Sequence, residues 1–172
     1  MKKFNKIFVG GLSRTGTKSL CDYFKLLDLK PHHNGGQVLN PSLFSEIDVL
    51  LDDKQTQFLY EVLNQKYPNS LFVYTNRNDE SWVNKIIDWK PDYSYIYHQS
   101  FGVGEGTSPD TKEMLTSFKQ QHFIRFKSFA TELPNDRVLY LDLEDNEKDK
   151  KVCEFLDITY DSELKYPNIK YR

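Results

Sequence analysis

The sequence predicts an α/β fold of three layers, α/β/α, around a mainly parallel sheet. Short apolar runs recur along the chain, and amphipathic helical patterns separate them, so that strands and helices alternate. The first apolar run leads directly into a glycine-rich turn and then a helical pattern, which is typical of a strand–loop–helix unit. We expect residues 1–172 to form one domain, because this length suits a single hydrophobic core.

Composition and charge favour a globular protein. The chain has 23 basic and 25 acidic residues, a balance that argues against a dedicated nucleic-acid-binding protein. Its 11 Tyr and 12 Phe argue against disorder. No apolar run approaches the roughly 20 residues of a membrane span, and the run at residues 7–9 is too short for a signal peptide. Cys21 and Cys153 lie in helical patterns, so we expect packed thiols in a reduced, cytoplasmic protein.

The first motif is the stretch KIFVGGLSRTGTKSL at residues 6–20. It predicts a buried strand, a glycine-rich turn and the start of a helix. The N–H groups and dipole at a helix N-terminus bind anions, and Arg14 and Lys18 add charge. Four hydroxyl groups add further donors; they belong to Ser13, Thr15, Thr17 and Ser19. The stretch therefore predicts a phosphate-binding loop, the alternative being an ordinary turn with a capping residue.

The same loop is close to a Walker A motif, which has Gly, four residues and then Gly-Lys-Ser/Thr. Gly11 and Gly16 have this spacing, but Thr17 stands between Gly16 and Lys18. One extra residue rotates Lys18 by about 100° around the helix. A P-loop nucleotide kinase or NTPase, with Lys18 on the phosphates and Asp142 on Mg²⁺, is therefore the alternative interpretation.

The second motif follows the predicted strand 70–76. Arg77 stands at the end of this strand, and Asp79 and Glu80 open the next helical pattern. An arginine between a strand and a helix N-terminus suits a phosphate group. The alternative is a surface ion pair between Arg77 and one of the two carboxylates.

Together, the two motifs resemble those of the P-loop sulfotransferases, which use 3′-phosphoadenosine-5′-phosphosulfate (PAPS). The family loop reads Lys/Arg-x-Gly-Thr-x-x-Leu after the first strand, and residues 14–20 read RTGTKSL. One branch of the family has Arg-x-x-x-x-Trp, which Arg77 and Trp82 match. The resemblance covers most of the chain. It implies a P-loop NTPase-like fold, metal-independent transfer of a sulfuryl group from PAPS to a hydroxyl or amine, and 3′-phosphoadenosine 5′-phosphate (PAP) as the product nucleotide.

The resemblance also implies site residues. Arg14 stands at the family's catalytic lysine and would stabilise charge on the leaving phosphate oxygen. Arg77 would hold the 3′-phosphate, together with Ser81 or with Lys85, which stands near the family's serine. The 5′-phosphosulfate would contact the loop, that is Ser13, Arg14, Thr15, Gly16, Thr17, Lys18 and Ser19.

The acceptor needs a general base. Asp52 is the first candidate, because it lies at the end of the predicted strand 48–53 and the carboxyl ends of parallel strands face the ligand crevice. His33 and His98 are further candidates. His98 lies in the long irregular segment 89–110, which is interpreted either as a binding lid or as a solvent loop packed on the core.

The partner predicted from these features is a small-molecule, carbohydrate or lipid acceptor, with no nucleic acid and no membrane span. The acceptor itself and the oligomeric state stay open. Because the chain is short for a sulfotransferase, a non-catalytic nucleotide-binding relative is a third interpretation.

Three local expectations concern secondary structure. Pro31 and Gly35-Gly36 predict a turn without regular structure after the first helix. Asp53 is expected to cap a helix that ends before Pro68. Its predicted apolar face consists of Phe58, Leu59, Val62 and Leu63. A long helix over residues 111–133 is expected to start at an Asp110 cap. Its predicted stripe consists of Met114, Phe118, Phe126, Phe129 and Leu133.

Overall fold

The computed structural model describes residues 4–33, 41–88 and 108–167. These residues form a five-stranded sheet in the order β2-β3-β1-β4-β5, and every neighbouring pair is parallel. The strands are β1 (Ile7–Val9), β2 (Pro31–His33), β3 (Val49–Leu51), β4 (Leu71–Asn76) and β5 (Val138–Asp142). The predicted α/β fold with a parallel sheet is confirmed.

Seven α-helices lie within the described residues. They are α1 (Thr17–Leu26), α2 (Pro41–Glu46), α3 (Lys54–Phe58), α4 (Tyr60–Lys66), α5 (Asp79–Asp88), α6 (Pro109–Ala130) and α7 (Lys148–Leu156). A short 3₁₀ helix, Asn135–Arg137, leads into β5.

The hydrophobic core lies on both faces of the sheet. Ile7 and Val9 of β1 pack on one face with α1 and α7, whereas Phe8 between them packs on the other face with α2, α4 and α6. This alternation follows from the two-residue period of a strand. Because both faces are covered, the central strands β1 and β3 are apolar and buried throughout, as expected in a parallel sheet.

The segment after α1 differs from the prediction. A turn was expected at Pro31, but Pro31–His33 forms the edge strand β2, paired with β3. Proline is compatible with a strand at its first residue or at a sheet edge, and Pro31 occupies both positions. The correction places His33 at the carboxyl end of a strand.

The predicted single helix after Asp53 was also wrong. It is divided at Leu59 into α3 and α4. The interruption changes the phase of the buried face, so that Leu59 and Val62 are exposed and Tyr60 and Leu63 are buried.

The long helix α6 begins and packs differently from the expectation. Ser108, not Asp110, is its cap, and the Ser108 side chain accepts a hydrogen bond from the Thr111 N–H. Met114 is 50% exposed, whereas Leu115 is buried. The predicted Phe126, Phe129 and Leu133 are buried, together with two polar residues, Lys119 and His122. Both polar residues satisfy their polar atoms inside the protein, which the hydrophobic pattern could not show.

Candidate functional site

The loop between β1 and α1 has the backbone of an anion cradle. Arg14 and Gly16 have positive φ angles of 71° and 94°, and α1 begins at Thr17 without a side-chain cap. The first N–H groups of a helix have no partner within the helix. They therefore face the loop as donors, and the helix dipole adds partial positive charge.

The loop lies directly on β4. A Cβ atom on Gly11 would come within 1.9 Å of Thr75 Oγ1 and 2.4 Å of the Thr75 carbonyl oxygen, so only glycine fits. The buried Thr15 hydroxyl lies 2.5 Å from the Leu12 carbonyl oxygen, to which it donates, and 2.7 Å from Thr75 Oγ1. This hydroxyl supports the loop from within.

Arg77 joins the second motif to the first. Its Nη1 donates to the Arg14 carbonyl oxygen at 3.0 Å, and its Nε donates to Ser81 Oγ at 2.9 Å. Trp82 Nε1 donates to the Ser13 carbonyl oxygen at 3.0 Å. The two sequence motifs therefore lie in direct contact, although more than 60 residues separate them.

The two alternatives for the partner of Arg77 differ in position. Ser81 is in contact with the guanidinium, whereas Lys85 is exposed one turn further along α5. The expected surface ion pair also differs, because the nearby carboxylate is Glu144, whose Oε1 lies 3.9 Å from Arg77 Nε. Burial lowers the pKa of Arg77, and Glu144 opposes this effect.

The remaining loop side chains point in different directions. Lys18 is partly exposed, and its Nζ lies 3.7 Å from Asp22 Oδ1, one turn further along α1. Thr17 Oγ1 lies 3.2 Å from His33 Nε2, and Ser19 is buried. Lys18 is thus directed along the helix surface, as the extra residue Thr17 predicts.

Asp52 and His33 meet at the carboxyl ends of β3 and β2. Asp52 Oδ2 lies 3.7 Å from His33 Nε2, and Asp52 Oδ1 accepts a hydrogen bond from Ser13 Oγ at 2.7 Å. Burial lowers the pKa of His33 in spite of the opposing charge of Asp52. The structure therefore brings two candidate bases beside the phosphate loop. The third, His98, lies outside the described residues.

The sequence interpretation missed Gln57, which is buried in α3. Its Nε2 donates to Asp52 Oδ1 at 3.1 Å and to the Gly11 carbonyl oxygen at 3.4 Å. No motif marks a glutamine of this kind, and its position five residues after Asp52 was the one available signal.

A second missed group lies at the ends of β4 and β5. The buried Lys119 Nζ donates to Asn76 Oδ1 at 3.0 Å and to Asp79 Oδ1. Asn76 Nδ2 in turn donates to Asp142 Oδ1 at 2.8 Å. Asp142, the candidate Mg²⁺ ligand of the kinase interpretation, is therefore hydrogen-bonded within this group.

Two features are absent from the described residues. No group of three or more His, Cys, Asp or Glu side chains among them is arranged to hold a metal ion. None of the helices in residues 4–33, 41–88 and 108–167 is long and apolar enough to cross a membrane.

Comparisons with known proteins agree with the loop motif. Residues 6–58 match the family model described as a sulfotransferase domain. This segment contains the phosphate loop, His33, Asp52 and Gln57. The match supports a relationship to sulfotransferases over the first third of the chain.

Two further proteins are similar to this chain over most of its length. The Ava biosynthesis cluster protein M of Aspergillus versicolor is 23% identical, with 95% of this chain and 80% of that protein covered. The crystal structure of shikimate kinase from Bacteroides thetaiotaomicron superimposes with a TM-score of 0.53. That match covers 91% of this chain and 100% of the kinase at 13% identity, and so shows a shared fold.

Proposed function

We propose that the protein is a sulfotransferase that moves a sulfuryl group from PAPS to a hydroxyl or amine of a small-molecule, carbohydrate or lipid acceptor. We extend the proposal to residues 1–172 as one domain. The observation that carries it is the Arg77 guanidinium, which bonds at once to the Arg14 carbonyl oxygen and to Ser81. Two motifs that are in direct contact, each suited to a phosphate group, fit a nucleotide with phosphates at two positions.

The residues present fit such a nucleotide. Its 5′-phosphosulfate needs several N–H donors, and the uncapped start of α1 offers them beside Arg14. Its 3′-phosphate needs a second cationic site, and Arg77 with Ser81 forms one. Thr17, Lys18 and Ser19 belong to the first turn of α1, where their backbone N–H groups face the loop.

When bound, the cofactor supplies an activated sulfuryl group. Arg14 would stabilise the negative charge that grows on the leaving phosphate oxygen. Because an arginine does not give up its proton at physiological pH, this contribution is electrostatic. Arg14 has a positive φ, and its carbonyl oxygen accepts a hydrogen bond from Arg77 that supports this loop conformation.

We propose that Asp52 is the general base that receives the proton of the acceptor hydroxyl or amine. Its Oδ1 is held by Ser13 and Gln57, while its Oδ2 has only the more distant His33 within 4 Å among the described ion-pair partners. Oδ2 is therefore the oxygen that can approach an acceptor hydroxyl or amine. His33 stays neutral at neutral pH because burial lowers its pKa, and it can share that proton.

The kinase interpretation has one observation in its favour, the fold shared with shikimate kinase. Fold alone does not assign a reaction. The direction of Lys18, toward Asp22, argues against a Walker A role for that lysine.

A calorimetric titration distinguishes the two functions. PAP without metal and ATP with Mg²⁺ are titrated separately into the wild type, Arg77→Ala and Arg125→Ala. Arg125 is an exposed arginine whose guanidinium bonds to the Phe58 carbonyl oxygen and pairs with Glu61; neither partner belongs to the phosphate loop, and so Arg125 serves as the matched control. We expect PAP to bind the wild type and Arg125→Ala, and its binding to be lost in Arg77→Ala.

Other outcomes decide against parts of the proposal. Preference for ATP with Mg²⁺ would favour the kinase interpretation in its place, and PAP binding that does not depend on Arg77 would contradict the proposed 3′-phosphate site. PAP binding without any sulfuryl transfer from PAPS to an acceptor panel would indicate a non-catalytic relative.

A further inference from the structure

The buried side chain of Gln57 connects the candidate base to the phosphate loop. It is 6% exposed and lies between Asp52 Oδ1, at 3.1 Å, and the Gly11 carbonyl oxygen, at 3.4 Å. Both partners only accept hydrogen bonds, so the amide nitrogen must face them. One NH₂ group therefore fixes the distance between Asp52 and the first glycines of the loop.

The backbone of Gln57 is held by a separate set of side chains. Because the helix is interrupted at Leu59, the Gln57 carbonyl oxygen accepts hydrogen bonds from His122 Nε2, at 2.7 Å, and from the Tyr60 hydroxyl. The interruption that exposes Leu59 thus also makes this carbonyl available.

The tautomer of His122 follows from these bonds. A carbonyl oxygen only accepts, so Nε2 carries the hydrogen, and Nδ1 accepts from the Tyr74 hydroxyl at 2.9 Å. Burial lowers the pKa of His122 to about 4, which keeps the ring neutral. Tyr74 of β4 and His122 of α6 therefore hold Gln57 in place, and Gln57 in turn holds Asp52.

We propose that Gln57 is a positioning residue. Its amide binds Asp52 Oδ1 and thereby keeps the carboxylate away from His33, with Oδ2 free for the acceptor. Its own position is set by His122 and Tyr74. This role rests on the proposed function, in which Asp52 receives the acceptor proton.

Asp52 and His33 have several charged and titratable neighbours among the described residues. Asp52 faces Ser13 of the loop, Gln57 of α3 and His33 of β2. His33 faces Thr17 and the field of three charged residues of α1, namely Lys18, Asp22 and Lys25. Loss of the Gln57 amide directly changes the contacts of Asp52 and leaves those of His33 with α1 in place.

The test follows the imidazole resonances of His33 by NMR in the ligand-free protein as pH is varied. In Gln57→Met the carboxylate loses one of the bonds on Oδ1 and can close the 3.7 Å gap to His33. We expect the titration midpoint of His33 to rise by about 0.5–1 pH unit. Gln57→Asn, which keeps a polar side chain but withdraws the amide by one methylene, should give a shift in the same direction.

Gln120→Met is the matched control. Gln120 also donates an amide hydrogen to a carboxylate, that of Asp79 at 2.9 Å, but on the exposed side of α6. We expect it to leave the His33 midpoint unchanged. If Gln57 had a purely structural role, its replacement would also leave the His33 midpoint unchanged. Unchanged midpoints in both folded Gln57 variants would therefore overturn the proposal.

Titration of PAP separates this proposal from the proposed function. Binding of PAP to the wild type, together with the His33 shift in Gln57→Met, supports both proposals. Failure of the wild type to bind PAP overturns the proposed function even where the His33 shift shows that Gln57 positions Asp52.

Discussion

Arg77 shows how much a single side chain can organise. Its planar guanidinium has several N–H donors in fixed directions, and here two of them bond to acceptors from different elements. The Arg14 carbonyl oxygen belongs to the loop, and Ser81 Oγ belongs to α5. The arginine is thus both a candidate phosphate ligand and a support of the loop conformation.

We predict that Arg77→Lys binds PAP more weakly than the wild type, by roughly tenfold. A lysine keeps the charge but cannot reproduce the fork, and loss of one such bond costs about 1.4 kcal/mol. Calorimetric titration measures the affinity, with Arg125→Lys as the control, since Arg125 is exposed on α6. Equal affinities of Arg77→Lys and the wild type would show that charge alone is sufficient at this position.

At the scale of elements, the N-terminus of α5 is tied to α6 by Lys119. This side chain is 4% exposed, yet its ammonium group bonds to Asn76 and Asp79. Burial acts to raise the pKa of Asp79, but hydrogen bonds from Lys119 and Gln120 outweigh burial, so that this pKa is lowered. Since α5 also carries Ser81 and Trp82, the contact of Lys119 with Asp79 helps to position the residues of α5 that belong to the candidate site.

We predict that Lys119→Met lowers the free energy of unfolding by about 1–3 kcal/mol, because Asn76 and Asp79 lose their partner. Hydrogen exchange of the α5 amides should become faster than in the wild type. Chemical unfolding and exchange measured by NMR provide the two readouts. Lys112→Met on the exposed side of the same helix is the control. Wild-type exchange in α5 of Lys119→Met would show that the tie is unimportant.

At the scale of the whole molecule, one polar group lies inside the layer between the sheet and α6. His122 is 5% exposed and contacts Tyr60, Tyr74 and Gln57. Because burial lowers its pKa to about 4, the folded protein holds it neutral over a range in which an unfolded chain would bind a proton.

We predict that this difference reduces stability in acid. The unfolded chain takes up the His122 proton below about pH 6.5, so the free energy of unfolding should fall by about 2 kcal/mol between pH 7.5 and 5. Urea unfolding at both pH values measures it. His33, whose pKa is also lowered, reduces stability in acid in the same way in the wild type and in His122→Gln. His122→Gln should therefore show the smaller decrease, and an equal decrease would contradict the assignment to His122.

The fold class, and a loop with the features of a phosphate-binding site, could be predicted from the sequence alone. Both depend on local patterns: apolar runs that alternate with amphipathic helices, and glycines with cations between one strand and one helix. The residues of the loop, Arg77 and Asp52 could be found in this way because each follows directly after a predicted strand. The same patterns placed Cys21 and Cys153 in the core as free thiols.

Which of these residues are in contact depends on the three-dimensional fold. The interruption at Leu59, the edge strand at Pro31 and the buried positions of Gln57, Lys119 and His122 depend on contacts between residues far apart in sequence. Hydrophobic periodicity records which positions are apolar, but a buried polar side chain is stabilised by partners that no local pattern specifies. Gln57, which holds the candidate base Asp52, could therefore be recognised only in the folded protein.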